Sequence, residues 1–83
     1  MSMSKYQMLI QWSEDDACYV VSLPDFPELH QPCTDGATYE QAATNGHELI
    51  ESLFIWYQQE GKVMPQPKTL QPAQTNNALE LRR

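Results

Sequence analysis

The most consequential absence in this 83-residue chain is positive charge: from Tyr6 to Gly61 there is no lysine or arginine, against ten aspartates and glutamates. Nucleic-acid binding relies on Lys and Arg to neutralise phosphates, so this stretch is excluded as an autonomous DNA or RNA binder. A basic protein is the favoured partner, although an acidic surface also serves solubility alone. Long apolar runs are missing too. Nothing approaches the ~20 residues of a membrane helix, and Met-Ser-Met-Ser-Lys lacks the apolar centre of a signal peptide. A cytoplasmic chain without a membrane partner is expected. Cysteine is scarce, and Cys18 and Cys33, without a secretory signal, are expected as buried thiols rather than a disulfide. His30 and Cys33 lie close in sequence, but the paired short spacings of structural zinc sites are missing, so no metal or other cofactor is expected. The length itself excludes a multidomain enzyme.

What is present reads as one small α+β domain over residues 1–67, followed by a polar, Pro- and Gln-rich tail over 68–83. Tyr6–Trp12 alternates as a strand, and Ala17–Leu23 is rich in β-branched and aromatic residues. Ser13-Glu-Asp-Asp16 between them is a four-residue hairpin loop. Pairing Trp12 with Ala17 brings Ile10 opposite Tyr19, Met8 opposite Val21 and Tyr6 opposite Leu23, so one face is wholly apolar. The other face, with Gln11, Cys18, Leu9 and Val20, is half polar and either wet or covered by a partner. Pro24-Asp-Phe-Pro-Glu-Leu29 cannot be a central strand, because its two prolines lack amide donors, and it reads as a rigid loop. His30–Thr34 is expected to return as a third, partly irregular strand, with Asp35-Gly36 as the turn after it.

Thr38-Tyr-Glu-Gln41 fits a capping box, with Thr38 as N-cap and Gln41 reaching back to its amide. A helix from Tyr39 to about Glu60 follows, closed by Gly61 in a left-handed cap. Tyr39, Ala42, Gly46, Leu49, Ile50, Leu53 and Tyr57 share the face expected to cover the sheet. Phe54, Ile55 and Trp56 make the last turns apolar all round, which marks them as an oligomer interface, the alternative being a locally thick core. Beyond Met64 the chain is prolyl and aperiodic, with Ala78–Leu81 as a candidate short edge strand.

The segments Tyr6–Trp12, Tyr19-Val-Val-Ser-Leu-Pro-Asp-Phe-Pro27, Asp35-Gly-Ala-Thr-Tyr-Glu-Gln-Ala42, Ile50-Glu-Ser-Leu53 and Gly61-Lys-Val-Met-Pro-Gln-Pro67, in this order, resemble the HicB-like antitoxin family over roughly residues 5 to 67. The resemblance implies a partial RNase H-like fold, three antiparallel strands with a long helix on one face and usually a further edge strand. It also implies a function, the sequestering of a small basic RNase toxin of the HicA type. The end at Arg83 leaves no room for the DNA-binding module that many members add, so a short form without operator binding is expected.

On that reading the acidic loops flanking the sheet supply the electrostatic contacts, namely Asp15, Asp16, Asp25 and Glu28, and Phe26 is the loop anchor. Two other classes compete. A stand-alone homo-oligomeric HicB-like domain would self-associate through Phe54, Ile55 and Trp56. A metal-dependent nuclease would gather carboxylates around divalent ions, but Asp25, Asp35, Glu40 and Glu48 have no spacing that forces convergence. Neither a nucleophile elbow nor a phosphate-cradling glycine loop is present, and no catalytic residue is expected.

Overall fold

The computed structural model describes residues 5–72; the candidate edge strand Ala78–Leu81 lies outside them. Three short strands, β1 (Leu9–Ser13), β2 (Cys18–Ser22) and β3 (Thr34–Gly36), precede one long helix, α1 (Tyr39–Gln59). The strands form an antiparallel sheet in the order β1-β2-β3, and the helix lies on one of its faces, which makes the domain α+β.

The hairpin keeps its expected apolar face with a different register. Trp12 pairs with Tyr19 and Ile10 with Val21, a slip of two residues from the pairing of Trp12 with Ala17. Its cause is local. Ala17 takes a left-handed φ of 52° and donates its amide to the Ser13 carbonyl at 2.8 Å, so the loop is Glu14–Ala17, one residue later than expected. Moving a four-residue loop by one position moves the ladder by two, and with a side-chain period of two every residue stays on its face. The strands are also shorter than the apolar runs that marked them.

The third strand is a correction. His30–Cys33 does not belong to a strand: regular pairing starts at Thr34 opposite Val21 and ends at Gly36 opposite Tyr19. Gly36 is therefore a strand residue and not a turn. A Cβ there would lie 2.6 Å from the Ala42 Cα, so glycine is required for the helix to approach the sheet.

The helix starts where its capping residues place it. Thr38 Oγ1 accepts the Gln41 amide at 3.0 Å, but the Gln41 side chain accepts from the Ala37 amide at 2.9 Å, one residue before the expected partner. At the other end Gly61 has φ 69°, its amide donates to Gln58, and the Lys62 amide donates to Tyr57 at 2.8 Å. That pair of bonds is a Schellman cap. Ala42, Gly46, Ile50, Leu53 and Tyr57 are buried on the sheet side, joined in the core by Val21, Leu23 and Phe26. Gly46 admits Met8 and Val21 against the helix backbone. Tyr39, expected on the covered face, is 62% exposed.

Candidate protein-binding surface

Within residues 24–29, the segment expected to face a partner, Asp25 and Phe26 turn inward while Pro24, Pro27 and Glu28 stay exposed. Phe26 is fully buried, so it has no surface to offer and is a core residue. Tyr6 packs against it with ring centroids 4.9 Å apart and Tyr57 edge-on at 6.2 Å. Asp25 is 4% exposed and accepts three donors: the Gln7 amide and side chain, both at 3.0 Å, and the Lys68 amide at 3.3 Å. Burial opposes its ionisation, yet the bonds from Gln7 and Lys68 and the Lys68 charge prevail and hold the carboxyl below its ordinary value. Asp25 is thus a clasp joining the N-terminal arm, the loop and the segment after the helix. Next to it, the Tyr6 hydroxyl donates to the Pro65 carbonyl at 2.6 Å.

Glu28 sits between inside and outside. It accepts the Tyr57 hydroxyl and lies 3.9 Å from the Lys62 ammonium. The bond to Glu28, with burial and the negative charge around it, pushes the Tyr57 hydroxyl up to about 12. Lys62 also stands over the rings of Trp56 and Tyr57, at 5.0 and 5.2 Å from their centroids. The depression beside this group, between Phe26, Glu28, Tyr57 and Val63, measures about 180 Å³, below the roughly 300 Å³ at which pockets for small organic ligands begin.

A residue that the sequence reading passed over holds the loop in place. Gln31 accepts the Leu23 amide at 2.8 Å and donates its side-chain amide to the Leu23 and Phe26 carbonyls, both at 2.9 Å. A glutamine between His30 and Pro32 satisfies backbone that two prolines leave without regular partners. The irregularity of that segment was its only signal.

Asp15 and Asp16, by contrast, are exposed at the hairpin tip. Asp16 interacts only locally, accepting the Ser13 hydroxyl at 3.0 Å. The other exposed carboxylates among the described residues are Glu14, Glu28, Asp35, Glu40, Glu48, Glu51 and Glu60. Among the described residues the ion pairs are Lys62 with Glu28 and, if the imidazole is protonated, His47 with Glu51 at 3.9 Å, so most of this charge faces water unneutralised.

Phe54, Ile55 and Trp56 project from the last turns of α1 at 51%, 54% and 44% exposure; they are outside the core. Leu9 and Gln11 are exposed on the sheet face opposite the helix, where Cys18, Val20 and Ser22 are half-buried. Cys18 and Cys33 are free thiols, only partly buried where full burial was expected. Burial and then Asp35 and Asp16 push the Cys18 thiol up. Among the described residues no three His, Cys, Asp or Glu side chains come together as a metal site, and no helix is long and apolar enough to cross a membrane. The arrangement offers charge, aromatic surface and strand edges, which is the equipment of recognition. No protein-family model, curated protein or solved structure is significantly similar to this chain.

Proposed function

We propose that this chain is a non-catalytic, cytoplasmic protein-binding domain, a HicB-like antitoxin with a partial RNase H-like arrangement, that occludes a small basic HicA-type RNase toxin. The observation that carries the reading is the unbalanced exterior: carboxylates on the hairpin tip, on β3 and along α1, with Lys5, Lys62 and Lys68 as the only lysines or arginines among the described residues. An RNase needs a cationic groove, and such a surface competes for it, speeding encounter by long-range attraction. With Asp25 and Phe26 turned inward, Asp15 and Asp16 carry the electrostatic role, supplemented by Glu28 at the loop's rim. The order of strands and helix agrees with what the resemblance implies.

Co-expression with the neighbouring reading frame tests this. A small basic protein should copurify and be inactive as an RNase until released; failure to recover any such protein contradicts the reading.

A second reading, self-association, is favoured by the exposure of Phe54, Ile55 and Trp56 on successive positions of one helix end. In it the domain is a homo-oligomer, with or without a toxin. Light scattering should show an oligomer that Ile55→Glu reduces to a monomer; a monomeric wild-type chain removes it.

A further inference from the structure

A row of three aromatic rings crosses the hairpin end of the molecule; its middle ring, Tyr19, packs against the core, and the outer two lie largely outside it. Trp12 on β1 packs on Tyr19 of β2 with centroids 5.1 Å apart at 75°, and Tyr19 packs on Tyr39 of α1 at 4.3 Å and 30°. Tyr19 pairs with Gly36, which has no side chain of its own, and α1 begins only at Tyr39. No earlier turn of helix covers the row. Trp12 is consequently 49% exposed and Tyr39 62% exposed, two large rings left half in water at one end of a small domain.

Carboxylates adjoin this row along the chain. Glu14, Asp15 and Asp16 follow Trp12 in the exposed hairpin loop, and Glu40 is adjacent to Tyr39 in the first turn of α1. The molecule already shows what such a combination holds. At the opposite end of α1, Trp56 and Tyr57 with Glu28 receive the Lys62 ammonium, which stands 5.0 Å from the Trp56 ring and 3.9 Å from the Glu28 carboxylate. Among the described residues, Lys62 alone makes cation–π contacts; the hairpin row has the same ingredients and, among those residues, no cation on it.

We propose that the Trp12–Tyr19–Tyr39 row is the docking surface for an arginine-presenting segment of a cationic partner protein, its guanidinium groups lying on the rings and pairing with the hairpin-tip and Glu40 carboxylates. Arginine is the better fit than lysine because its planar, weakly hydrated head stacks on aromatic rings while its N–H groups reach sideways to carboxylates. The inference rests on the reading that the acidic exterior takes a basic protein, and holds whether or not that protein is a toxin. It assigns the apolar anchor that Phe26, being buried, cannot be.

The test uses the full chain and two synthetic probes, an arginine hexapeptide and a lysine hexapeptide of equal charge, titrated by NMR at physiological ionic strength. The arginine peptide should bind more tightly, with the largest shifts at the Trp12 indole and the Tyr39 ring. Trp12→Ala and Tyr39→Ala should each weaken it roughly fivefold, whereas Tyr39→Phe, which keeps a ring at the site, should bind within about twofold of wild type. Equal affinity for the two peptides overturns the proposal, as does unchanged affinity in both alanine variants. So does a wild-type dimer that Trp12→Ala dissociates, since that assigns the row to a second copy of the chain. Success here without a copurifying toxin would separate this inference from the antitoxin reading, which would then fail alone.

Discussion

Two acidic turns of this domain have opposite fates. The loop at residues 24–29 lies between prolines, and its charges and ring are engaged by distant parts of the chain: Asp25 by Gln7 and Lys68, Phe26 by Tyr6 and Tyr57, Glu28 by Tyr57 and Lys62. The hairpin tip at residues 14–17 bonds locally, to the adjacent Ser13, and its carboxylates remain in water. Similar composition thus yields a structural hub in one place and free surface charge in the other. The difference is topological. The 24–29 loop leaves β2 where the N-terminal arm and the segment after α1 converge, while the tip projects from the end of a two-stranded ladder with no third element beyond it.

The contrast orders the expected effects of mutation. Phe26→Ala should be the most damaging, at about 3–5 kcal/mol for a buried aromatic side chain, which is a large fraction of the stability of a domain this size. Urea or thermal denaturation followed by circular dichroism measures it; a loss under about 1 kcal/mol would mean the ring does not pack in the core as described. Asp25→Ala should cost about 1–3 kcal/mol, because the Gln7 and Lys68 donors lose a charged acceptor, and should increase amide exchange at both residues.

Titration sharpens the same comparison. The folded carboxyl of Asp25 ionises below its ordinary value of 3.8, so its contribution is complete above that pH and disappears as pH falls through the lower folded value. The Tyr57 hydroxyl shifts the other way, from 10.0 to about 12, so its contribution is complete below pH 10 and lost as pH rises toward about 12. Wild type should therefore lose stability at the acid end relative to Asp25→Asn, and at the alkaline end relative to Tyr57→Phe. Parallel stability curves for wild type and variant would remove the corresponding bond from the account.

The smallest change in stability belongs to the tip. Asp15→Lys with Asp16→Lys should alter unfolding free energy by no more than about 0.5 kcal/mol per site, as for other exposed substitutions. Association with a basic partner should nevertheless slow markedly, and the more so at low salt. A tip whose reversal leaves association unchanged would be ordinary turn chemistry.

How far the sequence reveals this fold follows the range of the interactions. The helix is legible because its signals are local: Thr38 caps it, Gly61 ends it, and the buried positions repeat at helical spacing. The hairpin face is legible because alternation survives any slip by two, but its register depends on a left-handed alanine at position 17 that composition does not announce. The third strand is displaced because Gly36 resembles a turn residue when its actual role is to let Ala42 approach. Asp25 and Phe26 read as outward-facing because residues 6, 7, 57 and 68, which draw them in, are far away in sequence. Trp12 and Tyr39 read as core because their periodicity is that of the core, and only the limited reach of the helix leaves them exposed.

Fluorescence anisotropy of a labelled RNA duplex titrated with the isolated chain, alongside a labelled arginine peptide at the same physiological ionic strength, addresses the predominantly acidic exterior directly. The peptide should bind and the duplex should not, up to the highest soluble protein concentration. Saturable RNA binding with the peptide left free would contradict the account at its base.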